Sequence, residues 1–112
     1  MLAIASFLEN RPSMRLSDSE RAIVRAAVAR RFGPQAQVLL FGSRADDARR
    51  GGDIDLLVEV PHAVDEPLAQ AVGLEVDLMR ELGERRIDVL LAYPGCGERP
   101  IHRIARSSGR RV

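Results

Sequence analysis

Residues 37–60 are QVLLFGSRADDARRGGDIDLLVEV, two apolar runs separated by a polar, glycine-flanked segment. Gln37–Phe41 is a short apolar run stopped by Gly42, which fits a buried strand better than a helix of so few residues. Residues 43–50, SRADDARR, are polar and suit a turn or two of helix before Gly51-Gly52. A second strand is expected over Asp53–Val60, with Ile54, Leu56, Val58 and Val60 on one face and Asp53, Asp55, Leu57 and Glu59 on the other. Pro61 ends it.

The pattern extends outward in both directions. Upstream, Ser17 and Glu20 have the spacing of a capping box, and an Ala/Val/Ile-rich helix follows to Phe32, ended by Gly33-Pro34. Downstream, residues 67–82 carry a helical stripe of Leu68, Ala71, Val72, Leu78, Met79 and Leu82, stopped by Gly83. A third strand is expected over Arg86–Ala92, alternating Ile87, Val89 and Leu91 with Asp88 and Leu90. A turn at Pro94–Gly97 then leads to a final helix from Pro100 to Ser107. The order is αβαβαβα, an α+β fold with a mixed sheet flanked by helices. Residues 16–112 are read as one domain and residues 1–15 as an N-terminal arm outside it.

Composition narrows the function. All 17 basic residues are arginine, so Schiff-base chemistry and a P-loop lysine are excluded. A net charge of +1, no tryptophan, one tyrosine and three phenylalanines argue against direct nucleic-acid binding, which draws on a basic excess and on stacking rings. A single cysteine, Cys96, gives no internal disulfide and no structural zinc site. The apolar run MLAIASFL at residues 1–8 is too short to span a membrane and lacks the basic start of a signal peptide, so the protein is expected to be cytoplasmic.

The chemistry concentrates on carboxylates. Asp53 and Asp55, two apart on a strand, share a face, and crowded carboxylates at the head of an apolar strand call for compensating cations. Their hard oxygens suit Mg²⁺ or Mn²⁺. Asp88 interrupts the next apolar strand. If the two strands adjoin, it joins the pair in a site for two ions and in-line displacement at phosphorus. Gly42 allows a tight turn, and Ser43 with a helix N-terminus can hold phosphate oxygens, with Arg44 adding charge. An Asp-x-Asp pair alone is common; its conjunction with Gly-Ser, the polar segment and a later strand aspartate is not.

These residues, Phe41-Gly42-Ser43-Arg44 followed by Asp53-Ile54-Asp55-Leu56-Leu57-Val58 and later by Arg86-Ile87-Asp88-Val89, resemble the signature of the DNA polymerase β-type nucleotidyltransferase superfamily. The minimal nucleotidyltransferases, often encoded beside a HEPN-domain partner, are the nearest resemblance, over about Leu16 to Arg106. The resemblance implies transfer of a nucleoside monophosphate, AMP from ATP, with Asp53, Asp55 and Asp88 holding two Mg²⁺ ions. Gly42 and Ser43 would cradle the β- and γ-phosphates. It further implies an antitoxin that adenylylates a hydroxyl on a co-encoded HEPN toxin, or a domain served by a helical substrate-binding partner. Gly52 departs from the serine or threonine of many relatives. The alternative from another class is a non-catalytic module that neutralises a partner by binding alone.

Of the remaining polar residues, His62 is expected in an exposed loop and His102 on the surface of the last helix. Cys96 lacks the neighbours of a nucleophile, and Tyr93 is expected to pack. Arg99, Arg103 and Arg106 recur at i, i+4 and i+7 and so share a helix face, with Arg110 and Arg111 beyond.

Overall fold

A computed structural model describes residues 16–41, 54–83 and 85–112. Helix α1 (Asp18–Phe32) begins where the sequence places it: Ser17 Oγ accepts the Glu20 N–H at 3.1 Å, and Glu20 Oε1 accepts the Ser17 N–H at 2.9 Å. Two otherwise orphaned donors are thereby satisfied reciprocally. Gly33, at φ 97°, ends the helix in a conformation that side-chain-bearing residues avoid. Strand β1 (Gln37–Phe41) and strand β2 (Ile54–Glu59) pair antiparallel, with Phe41 opposite Asp55. Helix α2 (Pro67–Leu82) returns the chain, and β3 (Ile87–Ala92) then lies parallel to β2.

Helix α3 (Pro100–Ser108) crosses to the other side of the sheet, and a two-residue strand β4 (Arg110–Arg111) pairs with β1. The sheet order is β3-β2-β1-β4, mixed in direction as the α+β reading requires. The short strand β4 adds an element that the sequence pattern does not show, and the last helix runs to Ser108, one residue past Ser107. Strand β3 begins at Ile87 rather than Arg86. Val60 lies just past β2 yet still donates its N–H to the Ala92 carbonyl at 2.8 Å. The expected polar helix at 43–50 lies outside the described residues.

Alternation divides the sheet between two apolar clusters. Ile54, Leu56, Val58, Ile87 and Leu91 face α1 and α2, where they pack with Val24, Val28, Leu74 and Leu78. Leu57 and Ala92, from the opposite face, bury Ala105 of α3, with Leu39, Phe41 and Leu90 around them. Asp55 shares its face with Leu57, and Asp88, in register with Asp55, shares it too.

The α2 stripe is corrected in part. Ala71, Leu74 and Leu78 enter the core, whereas Leu68 is 77% exposed and Val72, Val76 and Met79 are partly exposed. The apolar arc of α2 is wider than the part that packs on the core, so its outer edge meets solvent.

Candidate active site

The N-terminal ends of β2 and β3 carry Asp55 and Asp88 side by side. Paired positions on neighbouring strands lie about 4.8 Å apart, so the two carboxylates rise from one face within reach of a shared cation. Asp88 is exposed and Asp55 is half-buried. Helix α3 covers Leu57 and Ala92, nearer the C-terminal ends of the strands. The carboxylates therefore stand beside the helix rather than beneath it. Phe41, where β1 ends, is opposite Asp55 on the other side. Gly42, Ser43, Arg44 and Asp53 all lie outside the described residues.

Asp55 and Asp88 supply hard oxygen donors, a set that fits a divalent cation of the Mg²⁺ class. Among the described residues no group of three or more His, Cys, Asp or Glu could hold a metal ion. Asp53, the partner of Asp55 in the sequence pair, precedes Ile54 and lies outside the described residues.

The opposite end of the sheet face is organised differently. Arg106 donates from Nε to Glu59 at 2.7 Å and from Nη1 to both carboxylate oxygens of Glu98 at 2.6 and 2.9 Å. The Arg106 hydrogen bonds hold the Glu98 carboxyl below its ordinary pKa, and the two glutamates raise that of Arg106. These side chains, with Tyr93 and Cys96, line a cavity of about 350 Å³. It lies about 13 Å along β2 from Asp55, four residues at the rise of a strand. Cys96 has a structural part here: its Sγ accepts the Tyr93 N–H at 3.4 Å and donates to the Gly97 carbonyl at 3.2 Å. Of the arginines expected on one helix face, Arg106 is thus committed to carboxylates, while Arg99 and Arg103 remain exposed.

His102 corrects the expectation of a surface position, for it is 1% exposed. Its Nδ1 accepts the Arg99 N–H at 3.0 Å, which places the ring proton on Nε2, and Nε2 donates to the Leu91 carbonyl at 3.1 Å. The ring thereby caps α3 and ties it to β3. The sequence held a signal for this, since position 102 is the third residue of a helix beginning at Pro100, where a side-chain acceptor serves the cap. His62 is exposed as expected, and its Nε2 lies 3.2 Å from the carbonyl of Phe32, the last residue of α1.

A mixed sheet with helices on both faces and paired aspartates at its strand heads defines a domain that places two carboxylates side by side on one sheet face. The profile of the nucleotidyltransferase domain matches residues 21–107, so the chain belongs to that family, of the polymerase β type. Its general activity is accordingly nucleotidyl transfer, and domains of this family generally use a nucleoside triphosphate and divalent metal ions. No match was found among curated proteins. Among the described residues no helix is long and apolar enough to cross a membrane.

Proposed function

We propose that the protein transfers a nucleoside monophosphate, AMP from ATP, to a hydroxyl on a partner protein, in the manner of the antitoxin in a co-encoded HEPN toxin–antitoxin pair. The observation that carries the transfer reading is the register of Asp55 with Asp88 on one sheet face, with Phe41 opposite Asp55. In sequence Gly42 follows Phe41 directly, and Asp53 stands two residues before Asp55. The proposal assigns phosphate binding to Gly42 and Ser43, metal binding to Asp53 with Asp55, and added charge toward the triphosphate to Arg44.

In this reading Asp53 and Asp55 hold the triphosphate end and Asp88 the acceptor end. Bound divalent ions would neutralise the triphosphate and favour the ionised acceptor oxygen. The acceptor oxygen forms a bond to the α-phosphorus as the bond from that phosphorus to the bridging oxygen breaks. Pyrophosphate leaves with the electron pair, and the hydroxyl proton passes to the Asp88 carboxylate or to solvent. A partner protein as acceptor is supported by the net charge of +1 and the scarcity of aromatic rings, which disfavour nucleic acid. The exposed α2 stripe of Leu68, Val72, Val76 and Met79 adds an apolar surface of the kind proteins dock on.

The test incubates the protein with labelled ATP, Mg²⁺ and the product of the neighbouring gene, followed by intact-mass analysis of that product. A gain of one or more nucleoside monophosphates, abolished by Asp88→Asn while nucleotide binding persists, is the expected result. Full neutralisation of the partner with no mass gain would establish the binding-only alternative instead.

A further inference from the structure

Strand β3, which carries Asp88, is an edge of the sheet among the described residues. The Ile54 N–H bonds the Arg86 carbonyl at 2.9 Å and the Val60 N–H bonds the Ala92 carbonyl at 2.8 Å. Even-numbered positions of β3 therefore turn their backbone groups toward β2, and the period of two turns those of Ile87, Val89 and Leu91 outward. Unpaired outward groups leave an edge free to fray and to shift.

Two side chains occupy that edge from opposite faces. His102 of α3 takes the Leu91 carbonyl, and Glu75 of α2 accepts the Val89 N–H on Oε2 at 2.8 Å. The Val89 N–H belongs to the peptide unit that joins Asp88 to Val89. That unit is planar and rigid, with the Asp88 carbonyl turned to β2 and the N–H to Glu75, so holding both ends fixes the direction of the Asp88 backbone and hence of its Cα–Cβ bond. Glu75 is half-buried, and no arginine pairs with it among the described residues. Its hydrogen bond goes to the strand alone. A helix carboxylate placed this way serves the strand rather than an ion pair.

We propose that Glu75 is a positioning residue for Asp88, fastening the edge strand at the peptide beside the third carboxylate so that Asp88 is aimed toward Asp55. The proposal rests on the reading of Asp88 as a carboxylate that binds a divalent cation. Groups that orient a metal-binding side chain are typically worth 10- to 100-fold in affinity, and action through the backbone belongs at the low end, about 10-fold.

The experiment uses Mn²⁺ alone as probe, its binding to the full chain read from the free-ion electron paramagnetic resonance signal. Hydrogen exchange at the Val89 amide is followed in parallel by nuclear magnetic resonance. Glu75→Ala should weaken Mn²⁺ binding about 10-fold and speed Val89 exchange. Glu75→Gln, whose amide oxygen accepts the same bond, should stay within about twofold of the parent. Glu75→Asp keeps the charge but is one methylene short, and should behave as the alanine variant does. Parent-like affinity in Glu75→Ala, or equal losses in the glutamine and alanine variants, overturns the positioning role. Asp88→Asn is the control. Unchanged Mn²⁺ affinity there refutes the metal reading of Asp88 and takes the proposal with it, whereas a loss there beside parent-like Glu75→Ala removes the proposal alone.

Discussion

Replacing His102 by phenylalanine keeps a ring of similar size in a site that is 1% exposed, so the change tests hydrogen bonding with packing nearly constant. The Leu91 carbonyl, buried where it meets Nε2, loses its donor, which costs about 2 kcal/mol within the usual range for an unsatisfied buried group. The Arg99 N–H is only part-buried and water can replace its acceptor, so its loss adds about 1 kcal/mol. The sum, about 3 kcal/mol, is a large share of the 5–15 kcal/mol that holds a typical domain. For a chain of 112 residues it corresponds to a melting temperature lower by about 12 °C. His102→Gln should recover about two-thirds of the loss, because its amide offers one acceptor to Arg99 and one donor to Leu91. Urea unfolding curves with an unchanged slope measure both variants. A phenylalanine variant within about 0.5 kcal/mol of the parent, or a glutamine variant as weak as it, would refute the account of His102 as a paired link between α3 and β3.

Glu20 titrates below its ordinary pKa because of the Ser17 backbone hydrogen bond first and the charge and hydrogen bond of Arg85 next, against some desolvation. A depressed carboxyl stabilises the fold above its unfolded pKa and loses that contribution as pH falls through the folded value, so Glu20→Gln should flatten the acid limb of the stability profile below about pH 4.5. An identical acid limb in both proteins would count against the link. At Gly109 a Cβ would meet the Ala105 carbonyl oxygen at 2.5 Å and Leu39 Cβ at 3.1 Å, so Gly109→Ala should cost about 1–3 kcal/mol in urea unfolding. A neutral result would mean that the junction of α3 and β4 yields freely. Asp53→Asn with Asp55→Asn should abolish Mg²⁺-dependent triphosphate binding while the fold persists, and unchanged calorimetric affinity would remove the carboxylate site.

The parts of the fold set by local pattern were legible. The Ser17/Glu20 box, the glycine stops at Gly33 and Gly83, and the alternation that puts Asp55 and Leu57 on one face are all local events within a few residues. The adjacency of β2 and β3 could be stated only as a condition, since Asp88 meets Asp55 through pairing across more than 30 residues. What stayed hidden depends on tertiary distance. A two-residue strand such as β4 has too few positions to show a period, and its pairing with Leu39 and Leu40 leaves no trace in Arg110 and Arg111 themselves. His102 lies among arginines and isoleucines that are all exposed, so its burial follows from its bond to β3 rather than from its neighbours in sequence. Leu68 and Leu74 carry the same side chain on one helix and differ in exposure by 77% against 0%, because only Leu74 packs into the core.

The pairing of β1 with β4 also orders events in time. Leu39 and Arg111 are partners across 72 positions of chain, and a ribosome adding about 5–20 residues per second takes about 4–14 s to pass from one to the other. Throughout that interval the outer edge of β1, over the apolar run QVLLF, waits for its last neighbour while β2 can already occupy the other side. An exposed apolar edge is a template for another nascent copy, so the interval before Arg110 and Arg111 arrive is when synthesis at high level is most exposed to aggregation. Slower elongation over the final third of the message would prolong that hazard, although it leaves the finished fold unchanged.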